Sequence, residues 1–392
     1  MKYLIIGGGI TGTTAAEELR KLDATAEITI VSDEKHRLYS RVLLPRYVKG
    51  TLAREKCFLK TESWYDERNI TCAFETLVTA IDPTGKKVST LNSGTLAFDK
   101  LLIATSGSLI KFPNELRGIS YLRTIDDADR LIEQLDELSA LPPEKRRAGI
   151  VGGSFIAVEY LNFFAQHKIP ADLFMLEETF FGGALDAESF AILRTRIEAE
   201  GILLHPRKST SRLVGESLLE GVECGDEKFN LSFLAVGIGV RPDLAMFRSA
   251  GIDVNRGIIT NEFLETNTPD IFAAGDVAEF FDQYADRHVV VGNWLNAQAQ
   301  GRIAAQNMFG ARTPFSAVRT YSTNVCGIEV VFIGDADPKL ADLILKRGSE
   351  AEGGVTQIFV RADRVVGATL VNRNVDRSEL TTLIRERSRL PL

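Results

Sequence analysis

A chain of 392 residues has room for two or three domains, each with a core of its own. With 45% hydrophobic and 25% charged residues and a formal net charge of −7, it offers no broadly basic surface for nucleic acid or anionic membrane. No apolar run approaches the roughly 20 residues that span a bilayer. Four scattered cysteines, Cys57, Cys72, Cys224 and Cys326, contain no C-x-x-C pair and suggest neither a disulfide framework nor a zinc site. The expectation is a cytoplasmic protein with no metal, no nucleic-acid partner and no membrane partner.

The first element is the apolar run Tyr3-Leu4-Ile5-Ile6, which stops at Gly7. It is too short for a signal-peptide core and reads as a buried strand. The turn Gly7-Gly8-Gly9-Ile10-Thr11-Gly12 follows, then a helical stretch from Thr13 to Lys21 and a β-rich segment from Glu27 to Asp33. Strand, glycine turn, helix and strand make a βαβ unit of about 30 residues. In such a unit Gly7 makes the tight turn, Gly9 lets backbone approach a pyrophosphate, and Gly12 lets helix pack on strand. Ile10 and Thr11 then open the helix, where unpaired N–H groups and the macrodipole favour an anion. An acid that binds ribose is expected about 20 residues on; Asp33 lies 21 past Gly12, with Glu34 as a second candidate.

The proline-broken, charged stretch Ala140 to Arg147 reads as a loop. After it the pattern repeats: Ala148 to Val151, the turn Gly152-Gly153-Ser154-Phe155-Ile156-Ala157, a helical stretch to about His167, and Ala171 to Glu177. Gly7 and Gly152 are 145 residues apart, so each unit can found a dinucleotide-binding domain. The second turn departs at Ser154, a side chain where a pyrophosphate wants bare backbone, whereas Ala157 still permits helix–strand packing. Glu177 lies 20 past Ala157, where a carboxylate binds a free ribose 2′-OH and repels a 2′-phosphate. No Lys or Arg lies between Lys168 and Arg194 to receive that phosphate, so NAD is expected over NADP. Beyond Ala311 no third glycine turn occurs. Strand-like runs at Val330–Ile333, Thr356–Val360 and Val365–Val371, a hairpin connection at Arg361 to Arg364, and a helix-like end from Arg377 to Arg389 indicate a small α+β domain.

Five further segments carry a family resemblance. Thr266-Asn-Thr-Pro269-Asp270-Ile-Phe-Ala-Ala-Gly275-Asp276 resembles the second FAD fingerprint of the pyridine nucleotide-disulfide oxidoreductase superfamily. Phe98 to Thr105 resembles its short A-T-G strand motif, with Ser106 after Ala104-Thr105 and Gly107 one place late. Ala235-Val-Gly237-Ile-Gly239-Val240-Arg241-Pro242 resembles the segment returning from the NAD domain. Val31 to Pro45, together with Gly292 to Gly301, is most similar to the branch holding rubredoxin reductases, ferredoxin reductases and the flavin region of the nitrite reductase large subunit.

The resemblance implies FAD and NAD(H) as cofactors. It implies two Rossmann-like dinucleotide-binding domains, the first discontinuous: residues 1–112 and 243–310 for FAD, 113–242 for NAD, and 311–392 for the small α+β domain. By carry-over Asp276 would bind the ribityl chain, Arg41 would contact FAD and Trp294 would sit beside the flavin, although a core aromatic remains the alternative for Trp294. Gly237 and Phe155 would belong to the NAD site, and Glu159 would stand near the nicotinamide with Arg46 as its cation; a solvated ion pair is the alternative. No cysteine stands where this superfamily keeps its redox-active thiols, so dithiol chemistry is not expected and no catalytic side chain is assigned. The implied function is electron transfer between NAD(H) and a protein redox partner, a rubredoxin- or ferredoxin-like carrier. Two alternatives stay open: the FAD/NAD subunit of a larger iron–sulfur or metal enzyme, such as an aldehyde or 2-oxoacid oxidoreductase, and a non-catalytic flavin-holding assembly component. Seven arginines within residues 361–392, against four acids, form a candidate docking face for an acidic carrier, with a solvated helix face as the alternative.

Overall fold

The structure, a computed structural model, describes residues 1–92 and 94–389. Two compact units emerge, residues 1–43, 53–108 and 240–317 in the first, and 44–52, 109–239 and 318–392 in the second.

In the first unit five parallel strands form one sheet in the order Ile271–Ala273, Lys100–Ile103, Lys2–Ile6, Glu27–Val31, Ile70–Ala73. Parallel strands are covered on both faces, which is why Tyr3, Leu4, Ile5 and Ile6 are all buried rather than alternating. Leu4, Ile6, Val31, Ile103, Ile271 and Ala273 share one core cluster, so three stretches distant in sequence condense around the first strand. Helix Ile10–Leu22 packs against helix Trp294–Phe309. A Cβ at Gly301 would lie 2.3 Å from the Thr11 carbonyl oxygen, so the helices touch on bare backbone.

The second unit repeats the plan. Its parallel sheet runs Ile202–His205, Ala171–Phe174, Ala148–Val151, Phe233–Val236, Ile119–Tyr121, again with the strand before the glycine turn at the centre. Helix Phe155–His167 follows that turn. The carboxy-terminal residues form an antiparallel sheet ordered Thr320–Val325, Ile328–Gly334, Arg364–Val371, Gly354–Arg361, Leu343–Ser349, followed by helix Arg377–Arg385. The fold is therefore α/β with two Rossmann-like sheets and a small α+β region, and that last sheet clusters with the second dinucleotide sheet. Its hairpin connection holds Ala362 and Asp363 at φ 48 and 61, the doubly left-handed turn that suits strand twist. The two outermost strands, Thr320–Val325 and Leu343–Ser349, escape the sequence pattern because they are edges, half-exposed and polar along much of their length.

Candidate dinucleotide-binding sites

Gly7 sits at φ 117, and a Cβ there would lie 2.3 Å from the carbonyl oxygen of Ala104. Ala104 in turn donates its N–H to Ile6, so the A-T segment backs the turn directly. Gly12 is equally constrained, its hypothetical Cβ 2.0 Å from the Gly7 oxygen. Gly9 is different. It holds the cap position of helix Ile10–Leu22, no side chain caps that helix, and a Cβ there would meet nothing within 4 Å. An uncapped 13-residue helix start beside open space is what an anionic group requires.

The second fingerprint meets the first at that point. Gly275, at φ 82, lies so close to Thr11 that a Cβ would stand 2.3 Å from the Thr11 hydroxyl. The Gly275 N–H donates to Gln300 Oε1 at 2.7 Å. Asn296 is buried, yet neither of its amide atoms has a hydrogen-bond partner, and Gln300 Nε2 is likewise unsatisfied. Buried polar atoms without partners are costly, so these amides fit a polar ligand arriving between the two motifs. Half-buried Trp294, at the start of the same helix, is not a core aromatic.

Arg41, Glu34 and Tyr39 form one cluster. The Tyr39 hydroxyl donates to Glu34 Oε2 at 2.6 Å, and the Arg41 guanidinium donates to Glu34 Oε1. Burial opposes the charge on Arg41, but Tyr39, Glu34 and Asp276 outweigh it and raise its pKa. Glu34 is thus committed to Arg41, whereas Asp33 is exposed. Beside them opens a cleft of about 430 Å³ lined by Lys35, His36, Arg37, Arg54, Glu55, Phe58, Glu62 and Phe74, in which Glu62 pairs with Arg37 at 3.2 Å. The Arg37 guanidinium lies 4.6 Å from the centre of the Phe58 ring, and Phe74 approaches the Gly8 turn. The cleft's cations are partly balanced by carboxylates, and the aromatic wall of Phe58 and Phe74 suits the adenosine end of a dinucleotide. Phe58 and Phe74 carry no local signal; only the fold brings them to the glycine turn. Together these features fit FAD.

The second turn reproduces the first. Gly152 has φ 116, with its hypothetical Cβ 2.3 Å from the Gly237 oxygen, and a Cβ on Gly237 would lie 2.7 Å from the Ala157 nitrogen. Ser154 occupies the cap position that Gly9 holds in the first unit; it is exposed and its side chain makes no cap hydrogen bond. Phe155 stacks on Tyr321 with centroids 5.4 Å apart and meets Phe181 at 5.0 Å and Phe332 at 6.1 Å. Ile156 beside it is half-buried. Phe181 is left-handed at φ 59, and its N–H donates to Gly153. Phe155 belongs to the turn motif itself, whereas Phe181, Tyr321 and Phe332 come to it from distant stretches that carry no local signal.

Two placements differ from expectation. Glu159 pairs with Lys49 Nζ at 3.4 Å, and Arg46 is exposed. The short helix Leu44–Val48 turns Arg46 outward, and Lys49 just beyond it takes the partner's role. Burial raises the Glu159 pKa, with Lys49 acting against it. Glu177 does not close a strand: the strand ends at Phe174, and Glu177 lies exposed in the following turn. The late glycine of the A-T-G variant also has a use, since a Cβ on Gly107 would lie 2.9 Å from the Arg241 backbone.

Three of the four thiols are unsuited to nucleophilic work. Burial pushes Cys72 up to about 12 and Cys326 up to about 11, and it raises Cys224 as well. Among the described residues, no helix is long and apolar enough to cross a membrane.

Two glycine-turn sheets, one joined by a distant Gly-Asp motif, define a flavin-dependent oxidoreductase of nicotinamide nucleotides. Residues 1–301 match the family model for pyridine nucleotide-disulphide oxidoreductases, and the chain belongs to that family. It is 26% identical over 388 residues to the ferredoxin–NAD(+) reductase component of the biphenyl dioxygenase system of Paraburkholderia xenovorans, covering 98% of this chain and 93% of that one. It is also 26% identical over 392 residues to nitrite reductase [NAD(P)H] of Bacillus subtilis, covering 98% of this chain but only 47% of that longer protein. Among solved structures, that of the covalent putidaredoxin reductase–putidaredoxin complex superposes with a TM-score of 0.91 at 25% identity, covering 98% and 93% of the two chains.

Proposed function

We propose that this chain passes electrons between NAD(H) and a small protein carrier of the ferredoxin or rubredoxin kind through FAD. The observation that supports it most is the meeting of Thr11, Gly275 and Gly301 at an uncapped helix start with unpartnered buried amides beside it. Bound there, FAD supplies hydride acceptance from NADH and electron release one or two at a time. The protein's own part is binding and alignment. The Gly7–Gly12 turn holds a pyrophosphate, Asp276 the ribityl chain, and Asp33 and Arg41 assist at the first site with Ala104, Thr105 and Trp294. The Gly152–Ala157 turn, Glu177 and Gly237 hold the second dinucleotide. Glu159 and Lys49 hold charge beside that turn, and no side chain needs to move a proton during hydride transfer.

The reductase relatives and the putidaredoxin complex support a protein carrier as partner. On the carboxy-terminal sheet, Arg361 pairs with Asp335 at 3.2 Å, and Arg373 pairs with Asp376 and Glu352. Arg364, Arg377, Arg385, Arg387 and Arg389 are exposed and make no ion pair among the described residues. Arg364 and Arg389 even stand opposite one another in an antiparallel bridge, a like-charge pairing that an acidic partner relieves. We place the protein in the cytoplasm, where its free cysteines stay reduced.

A second reading, the FAD/NAD part of a larger iron–sulfur or metal enzyme, is favoured by the match to about half of nitrite reductase. Untagged purification from the native source separates the readings: a stoichiometric metal-containing subunit selects the second. Rapid mixing with NADH tests both, because flavin absorbance bleaches in either case; an unchanged spectrum leaves only a flavin-holding assembly role.

A further inference from the structure

Helix Phe155–His167 follows the Gly152 turn at one end and at the other lines a cavity of about 310 Å³. Four stretches distant in sequence build it. The helix gives Asn162, Ala165 and Gln166, with Lys168 just past its end. Lys49 follows helix Leu44–Val48 and Glu200 follows helix Ala187–Glu198. Asn324 and Cys326 come from the turn between strands Thr320–Val325 and Ile328–Gly334. None of the lining residues belongs to either glycine turn.

The walls are fixed by their own hydrogen bonds. Asn162 Nδ2 donates to the Asn324 carbonyl at 2.7 Å, and Asn162 Oδ1 accepts from the Cys326 N–H at 2.9 Å. Arg196 Nε donates to the Cys326 carbonyl at 2.8 Å, and Gln166 Nε2 to the Lys49 carbonyl at 3.3 Å. At the helix end the carbonyls of Phe164 and Ala165 accept from Ile169 and Lys168, so these two acceptors are occupied.

Charge then decides what fits. Glu200 is shared by Lys168 Nζ and Arg196 Nη2, each at 2.7 Å, so one carboxylate answers two cations. Lys49 leans toward Glu159 at 3.4 Å, a longer contact than either. The Cys326 sulfur feels the same convergence: burial and then Glu200 raise its pKa, while Arg196, Lys168 and Lys49 act to lower it. These three cations and two carboxylates leave one positive charge in excess. Lysine ammoniums bind phosphate as point charges, and amides can complete the shell. A hydrophobic molecule would meet only Ala165 and the Cys326 thiol. The volume stands at the lower end for small-molecule sites, which suits a small phosphate compound and not a dinucleotide.

We propose that this cavity is a site for a small phosphate-bearing anion, held by Lys168 and Lys49 in competition with Glu200 and Glu159. Glu159 lies one turn into the helix that the Gly152 turn opens, so an anion drawing on Lys49 loosens the charge pair beside that turn. The site itself does not depend on what the turn binds.

The test is isothermal titration of the flavin-loaded full chain with inorganic pyrophosphate at low ionic strength, wild type beside K168N, E200Q and E159Q. Asn at 168 tolerates the left-handed backbone, where φ is 52, and glutamine removes charge while keeping shape. Affinity falls at least fivefold in K168N and rises at least threefold in E200Q and in E159Q, each of which frees a cation. Misfolding cannot produce the two gains. A glycine turn that captured the probe would be indifferent to Lys168 and Glu200. Equal affinity in wild type, K168N and E200Q therefore overturns the proposal, as does absence of binding to wild type.

Discussion

Gly9 and Gly12 stand three residues apart in one turn and are glycine for different reasons. At Gly12 the protein itself forbids a side chain, because a Cβ would collide with the Gly7 carbonyl. At Gly9 nothing in the protein objects, so the demand comes from a ligand. G12A is therefore expected to lower stability by about 2 kcal/mol, the usual scale of overpacking, as read by denaturant unfolding of the flavin-free protein. G9V should leave that transition in place and reduce flavin retention more than tenfold in equilibrium dialysis. A G9V protein that unfolds early, or that keeps its flavin, contradicts this division. Ser154 extends the argument to the second site. S154G should tighten NADH at least threefold if the hydroxyl obstructs the pyrophosphate, and weaken it if the hydroxyl binds phosphate; unchanged affinity means the position does not meet the dinucleotide.

At this scale the glycines were legible in the sequence, since a turn against a neighbouring carbonyl is a local demand with a local signature. Lys49 in place of Arg46 was not, because helical phase over a five-residue helix decides which side chain points inward.

Among the elements, the carboxy-terminal helix Arg377–Arg385 shows how a buried charge anchors a segment. Asp376, just before it, is buried. It accepts from Thr356 Oγ1 at 2.7 Å, Arg373 Nε at 3.1 Å and Arg347 at 3.2 Å. Burial opposes ionisation, yet these hydrogen bonds hold its pKa below the ordinary aspartate value. A lowered folded-state pKa gives stability that is present above the carboxylate range and lost as pH falls through it. D376N should cost about 3 kcal/mol at neutral pH, because Arg347 and Arg373 lose a buried partner. The gap to wild type should close as pH drops below about 4. A gap that stays constant from pH 7 to pH 3 means the charge is not what anchors the helix.

The same sheet marks the reach of sequence patterns for elements. Its inner strands, Gly354–Arg361 and Arg364–Val371, are buried almost throughout and read plainly as apolar runs. The edge strands mix exposed and half-buried positions, and the pairing that makes them strands lies in their partners.

Across the whole molecule, one plan used twice explains why the fold was readable before the sites were. Each sheet places a glycine turn at the end of its central strand, and each turn rests on the backbone of the next strand, Ala104 in one unit and Gly237 in the other. Backbone-on-backbone contact needs glycine at set intervals, so it leaves a written trace. Side-chain walls such as Phe58 with Phe74, or Phe155 with Tyr321, leave none, because any large residue meets the need and its position is set by the fold. Charge at this scale bears on the partner: R385E/R389E should slow reduction of an acidic carrier several-fold at low ionic strength, with the difference fading in high salt and reduction of a small dye untouched. Equal carrier rates would remove this face as the docking surface.

The central claim is that the amino-terminal sheet binds FAD between the Gly7 turn and the Gly275-Asp276 segment. The most direct measurement is release of the bound chromophore from the purified protein, its identification by mass, and its rebinding to wild-type and D276A chains. The account predicts one FAD per chain, rebound by wild type and held at least tenfold more weakly by D276A. A colourless protein that takes up no flavin, or one that binds it as well without Asp276, would contradict the account.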